Sequence, residues 1–314
     1  MLDSFLIALS AVTPFLIYLG LGFFAVRSKL ATASFMQSLN KFTFQVLFPF
    51  MTFNSVYGAA PEDMPSLKLI VFSVGSVLLL ILLLMAVVPK IVKENPRRGV
   101  IIQAIFRSNF VIYGLPLAAS VFGAKSSSVT GVMVLIMVSL FNISSVIVLE
   151  IFREGGQVKL KPLLLGILKN PLLQGCVVGL IFFALRIRLP ELISKPIATL
   201  ANMASTLALI TLGAALRFDE MAKNRRVISI VLVIRLILLP LVGLTIGWLI
   251  GLRGIELFLV LLIYGTPIAT SSYPMAQNMG GDGPLAGQLV FVSTVFSLGT
   301  IFLFIFGMSQ LGLL

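Results

Sequence analysis

Arg107, Ser108 and Asn109 stand side by side inside a long apolar run, with Gly114 and Pro116 just beyond them. A guanidinium, a hydroxyl and an amide are all hydrogen-bond donors, and together they can hold an anion. A helix in hydrocarbon has no water to repair a broken backbone. Interruptions at that depth survive only where protein or a wet cavity covers them. A second interrupted run, Tyr264–Gly281, sets Thr266, Thr270, Ser271 and Ser272 around Pro267 and Pro274. Pro116 and Pro274 are 158 residues apart (274 − 116), as are Gly123 and Gly281. Paired interruptions at matching places in two halves point to a substrate site between the halves.

Each residue also has a plainer reading. Asn109 could serve only to bond the broken backbone, and Ser or Thr in a membrane helix usually bonds its own preceding turn. The gathering of four hydroxyl residues around two prolines favours a wetted site. No asparagine matches Asn109 in the second run, since 109 + 158 falls on Pro267, so the site is expected to be asymmetric. Arg107 and Arg235 lie about 12–14 Å inside their spans at 1.5 Å per residue. Either they face a cavity and select anions, or they snorkel to the inner surface; the sequence leaves both open. Gln45, Asn54 and Asn202, with Thr52, Ser205 and Thr206, are polar positions in two further spans. Such residues more often bond neighbouring helices than touch substrate. Pro14 and Pro49 read as kinks.

Composition bounds the class. The chain has 314 residues, 59% hydrophobic and 11% charged, with mean hydropathy +1.11. That is an integral membrane protein. The net charge of +12 is explained by basic loops on one side of the membrane, so no nucleic acid is expected. With no histidine and one cysteine, Cys176, neither a metal site nor an intrachain disulfide is expected, and no cofactor is implied. The acids, among them Glu150, Glu256 and Asp282, all fall in loops or near span ends. An intramembrane enzyme needs paired acids, His or metal ligands at depth, so the chain is expected not to be one.

Ten helical spans accommodate the apolar runs, beginning near Phe5, Phe42, Leu69, Gly99, Val129, Pro171, Ile197, Val227, Ile255 and Leu289. Spans four and nine are the interrupted ones. Fifteen basic residues fall on one set of loops and flanks: Arg27, Lys29, Lys41, Lys90, Lys93, Arg97, Arg98, Arg153, Lys159, Lys161, Lys169, Arg217, Lys223, Arg225 and Arg226. Only six, Lys68, Lys125, Arg186, Arg188, Lys195 and Arg253, fall on the other. The first set is therefore expected in the cytoplasm, with both termini outside the cytoplasmic membrane. The 158-residue offset carries spans one to five onto six to ten. An odd number of spans per half turns the halves opposite ways. The fold class expected is thus all-α and polytopic, ten transmembrane helices in two inverted five-helix repeats. Residues 1–152 form the first repeat, 153–162 a short linker and 163–314 the second.

Several stretches, in order, carry a resemblance. They are Leu39-Asn40-Lys41 through Leu47-Phe48-Pro49-Phe50-Met51-Thr52-Phe53, Arg107-Ser108-Asn109 through Gly114-Leu115-Pro116-Leu117, Lys169-Asn170-Pro171-Leu172, and Leu212-Gly213-Ala214-Ala215-Leu216. Together they resemble the auxin efflux carrier family, whose bacterial members include malate- and malonate-type permeases. The resemblance implies a scaffold domain and a transport domain, with broken helices four and nine crossing at the substrate site. It implies Asn109 as the crossover asparagine. It further implies transport of small organic anions. The plant members' long cytoplasmic insert is missing here, so plant-type regulation is not implied.

The function expected is a secondary carrier for small carboxylates working by alternating access. An ion-coupled symporter of the bile-acid type, or a receptor or channel-like module, are the alternatives. The bilayer and a small organic anion are the expected partners, and a homodimer is open.

Overall fold

The structure, a computed structural model, describes residues 2–57, 64–123, 126–153, 165–166 and 168–314. The described regular structure is helical, with one isolated two-residue bridge. In chain order the helices are α1 (Leu2–Arg27), α2 (Ala33–Phe42), α3 (Phe48–Tyr57), α4 (Leu67–Ile91), α5 (Asn95–Phe106), α6 (Phe110–Phe122), α7 (Ser126–Ile151) and α8 (Pro171–Ala184). Then follow α9 (Glu191–Ala215), α10 (Phe218–Val233), α11 (Leu239–Leu249), α12 (Gly254–Gly265), α13 (Ser272–Asn278) and α14 (Gly283–Gln310). Five helical runs, Leu67–Ile91, Val129–Ile151, Glu191–Ala215, Met221–Leu249 and Gly283–Gln310, are each long and apolar enough to cross a bilayer. The chain is an all-α, polytopic membrane protein.

Two joints inside these helices have one cause. The π-helical turns Thr43–Leu47 and Ile234–Leu238 each end two residues before a proline, Pro49 and Pro240. Proline lacks the N–H that would bond four residues back, and its ring crowds that carbonyl. The helix widens instead: Phe48 N–H reaches Thr43 C=O and Leu239 N–H reaches Ile234 C=O, five residues back. Pro49, expected as a kink, thus works through a π-bulge.

Some boundaries differ from the expected ones. Span two starts at Ala33, not near Phe42, capped by Thr32, whose Oγ1 accepts Phe35 N–H at 3.2 Å. Gln37, Ser38, Asn40 and Lys41 lower the hydropathy of that stretch; it is an amphipathic helix with Met36 and Asn40 buried. Span seven likewise starts at Glu191 and tolerates Pro196 in its early turns. The expected linker lies outside the described residues apart from Arg153.

Burial separates the helices by task. α5 and α12 are buried on every side from Gly99 to Phe106 and from Leu257 to Gly265 without exception, and in those stretches apolar but for Gln103 and Tyr264. Helices of that kind sit at the centre of a bundle. α4 is the opposite, with Leu78, Leu79, Leu82 and Leu83 all exposed, the signature of a lipid-facing helix. α3 and α8 run parallel at backbone contact: Gly175 sits against Pro49 and Thr52, and one turn later Gly179 against Phe53 and Val56. A Cβ on Gly175 would lie 2.2 Å from Pro49 O. Gly22 against Ile210, and Gly213 against Leu19, bring α1 and α9 equally close. Small residues are what allow membrane helices this approach.

Candidate functional site

The helix of span four stops at Phe106 and restarts at Phe110; that of span nine stops at Gly265 and restarts at Ser272. Thr266 precedes Pro267, and a residue before proline is driven out of the helical region; it is extended, with φ −72° and ψ 155°. The break in span four has no such local cause. It is held by its partner. Ser108 pairs antiparallel with Ile268. Asn109 N–H donates to Pro267 C=O at 2.8 Å, and Ala269 N–H to Arg107 C=O at 3.4 Å. Each break therefore satisfies part of the other's freed backbone groups, as the bilayer interior demands. The offset between Asn109 and Pro267 is 158 residues (267 − 109), the same as between Pro116 and Pro274.

The interrupted stretch read from the sequence includes Gly114 and Pro116 as well as Arg107–Asn109. The structure puts the break at Arg107–Asn109 and leaves Gly114 and Pro116 inside α6. Gly114 packs on the Phe110 ring and Val134, and Pro116 faces the cavity described next.

A cavity of about 720 Å³ opens beside the crossing. Its walls come from α1 (Pro14, Phe15, Tyr18), α3 (Met51, Thr52, Asn54, Ser55), α6 (Val111, Ile112, Leu115, Pro116), α7 (including Phe141 and Asn142) and α9 (including Asn202, Ser205 and Thr206). Arg107, Ser108 and Asn109 form its floor with Ala269, Thr270 and Ser271 from the other break. Arg107 is the one charged residue in this described lining.

Arg107 is 3% exposed, which rules out snorkelling. Its guanidinium donates to Asn142 Oδ1 at 2.7 Å and Ser271 Oγ at 2.8 Å, and rests on Met275 Sδ. Among the described residues the ion pairs are Arg97–Asp282, Arg153–Glu150 and Lys195–Glu191, so no described acid pairs with Arg107. Asn109 is 4% exposed; among the described residues its Nδ2 has no partner, nor have Ser108 Oγ and Asn142 Nδ2. Asn109 opens α6 without capping it by its side chain, so its amide stays free while the positive end of the α6 dipole adds to the same spot.

The remaining expected site residues divide. Thr270, Ser271, Asn54 and Asn202 join the lining; Thr266, Pro267, Ser272, Pro274, Gln45 and Arg235 do not. Thr266 bonds its own helix through Leu262 C=O at 2.8 Å, the plainer reading for that residue. Pro267 works through its carbonyl. Ser272 and Pro274 are buried at the start of α13, and Gln45 points outward from the π-bulge. Arg235 does not snorkel either: it is fully buried, donating to Ile105 O at 3.2 Å, Ile263 O at 3.1 Å and Thr266 O at 3.0 Å. Asn142 went unnoticed in the sequence. Its signal was an amide deep in an apolar span, which by itself fits a helix-packing role equally well.

Residues 7–305 match the family described as membrane transport protein. No curated protein gives a significant match to the chain.

Proposed function

The chain belongs to this family of membrane transport proteins, that of the auxin efflux carriers, and on that premise we propose that it is a secondary carrier for small organic anions, carboxylates foremost. The observation that carries the reading is the buried Arg107, with no acid paired to it among the described residues, beside the Asn109 amide nitrogen, which has no partner among them either. A buried charge without a counter-charge is costly, and a buried donor without an acceptor adds to the cost. A carboxylate on the cavity floor removes both penalties at once. It would accept from Asn109 Nδ2 and Ser108 Oγ and offset the guanidinium that Asn142 and Ser271 orient. The apolar wall of Phe15, Val111, Leu115 and Phe141 suits the organic remainder, and a cavity near 720 Å³ lies within the range of small-molecule sites.

Movement follows from the same layout. The cavity lies between α1, α3 and α9 on one side and the crossing, α6 and α7 on the other. Sliding the crossing past the first group, within ten spans arranged as inverted repeats 1–152 and 163–314, would expose the floor to one face and then to the other. We place the protein in the cytoplasmic membrane with both termini outside, from the bias of its basic loops.

Thermal-shift titration of the purified protein with acetate, malonate, malate and indole acetate tests the reading. At least one carboxylate should stabilise the protein saturably, since a ligand of the folded state raises its stability. The corresponding neutral amide should not. A protein indifferent to all four, with Arg107→Gln behaving identically, would overturn the anion assignment.

A further inference from the structure

The Arg235 guanidinium bonds carbonyls of two different half-helices. Ile105 lies in the last turn of α5, Ile263 in the last turn of α12, and Thr266 directly follows it. These are the carbonyls that a helix end leaves without intrahelical partners, and each helix end carries partial negative charge. Breaking two helices at one crossing brings two such ends together, buried, where no water can reach them. In a membrane carrier, carbonyls and C-terminal ends of that kind are the groups that coordinate a coupling cation. Here the Pro240 π-bulge delivers a side-chain cation to the same place.

We propose that Arg235 is the resident cation of the crossing: its guanidinium fills the position that a mobile sodium ion or proton would otherwise occupy, and so makes the carrier independent of a coupling cation there. Three features support this. Arg235 is outside the cavity lining, so its charge is not presented to the substrate. No described acid pairs with it, so the carbonyls are its counter-charge. It also bonds both half-helices, so the charge stays with the crossing whichever way the crossing moves. Arg107, 128 residues earlier in the chain (235 − 107), likewise has no described acid partner but differs in the other two respects: it lines the cavity and bonds side chains.

The consequence for transport rests on the carrier reading above; the test does not, because it reads cations and the earlier one reads carboxylates. Purified protein is titrated with sodium against choline at constant ionic strength while its unfolding temperature is followed. The same is done for Arg235→Ala and Arg235→Lys, with guanidinium at millimolar concentration as a further probe. Wild type should show no saturable response to sodium. Arg235→Ala should unfold roughly 5 °C or more lower and recover saturably with sodium or guanidinium, whereas Arg27→Ala, which removes an exposed cation at the end of α1, should show neither effect. Arg235→Lys, which keeps the charge with fewer bonds, should lie between and gain nothing from sodium. If Arg235→Ala does not fold, the wild-type and lysine titrations decide. Saturable stabilisation of either by sodium would overturn the proposal. So would a folded Arg235→Ala that neither ion restores.

Discussion

Asn109 and Arg107 share a cavity floor but supply different things, and their substitutions should separate. Asn109→Ala removes one donor to a bound carboxylate, a bond worth roughly 1.5–3 kcal/mol when the acceptor is charged. Affinity for the best carboxylate should fall about ten- to a hundredfold, with the protein still purifying as a folded monodisperse species. Asn109→Asp should bind more weakly still, since it places a negative charge where the ligand's must go. Arg107→Gln should lose at least as much affinity, because the guanidinium is the one charge in the described lining. Titration of the three variants with the carboxylate that stabilises wild type checks these outcomes. Normal binding by Asn109→Ala would move the site to Thr270 and Ser271. At this scale the sequence was partly legible. Ser108 and Asn109 could be picked out because polar residues at depth are rare. The roles of Arg107 and Arg235 could not be separated, since both are arginines at similar depth. What divides them is whether side chains or helix-end carbonyls surround them, and that depends on residues far away in the chain.

Among the elements, close helix contacts make the sharpest prediction. Gly175→Ala would set a methyl 2.2 Å from Pro49 O and 2.4 Å from Thr52 Oγ1, so α8 and α3 must part. Overpacking of this kind costs roughly 1–3 kcal/mol, and the unfolding temperature should drop by several degrees. Gly75→Ala, on the lipid-facing α4, meets nothing within 4 Å and should be neutral or slightly stabilising. Equal effects from the two would show that α3 and α8 do not meet as described. The helices themselves were legible from hydropathy almost throughout. The misjudged start of α2 shows the limit: Gln37, Ser38 and Lys41 lower the average, while the burial of Met36 and Asn40 is a tertiary fact. The break at Arg107–Asn109 shows another. It has no proline or glycine of its own, so nothing local marks it; its cause is the strand-like pairing with Ile268.

For the molecule as a whole, orientation and energy coupling are the open matters. In a Cys176→Ser background, cysteines at Leu30 and Leu192, both 86% exposed, should be labelled by an impermeant reagent from opposite faces of the membrane, Leu30 from the cytoplasm. Labelling of both from one face would remove the ten-span arrangement. Coupling should show in the pH profile of uptake into proteoliposomes. The described cavity wall contains no acid, so any proton that moves should travel on the substrate. Two carboxylates of different pKa should then give two midpoints; a common midpoint would mean that a protein group titrates.

The main-chain pairing of Ser108 with Ile268 has a consequence for how such a protein changes over generations. Because Asn109 N–H, Pro267 C=O, Ala269 N–H and Arg107 C=O hold the crossing, its geometry asks little of the side chains there, Pro267 apart. The side chains of Arg107, Asn109 and Ala269 line the floor of the cavity. Mutation can therefore rewrite what the floor prefers while the frame that carries it stays intact, so new cargo can be acquired one substitution at a time without passing through an unfolded ancestor.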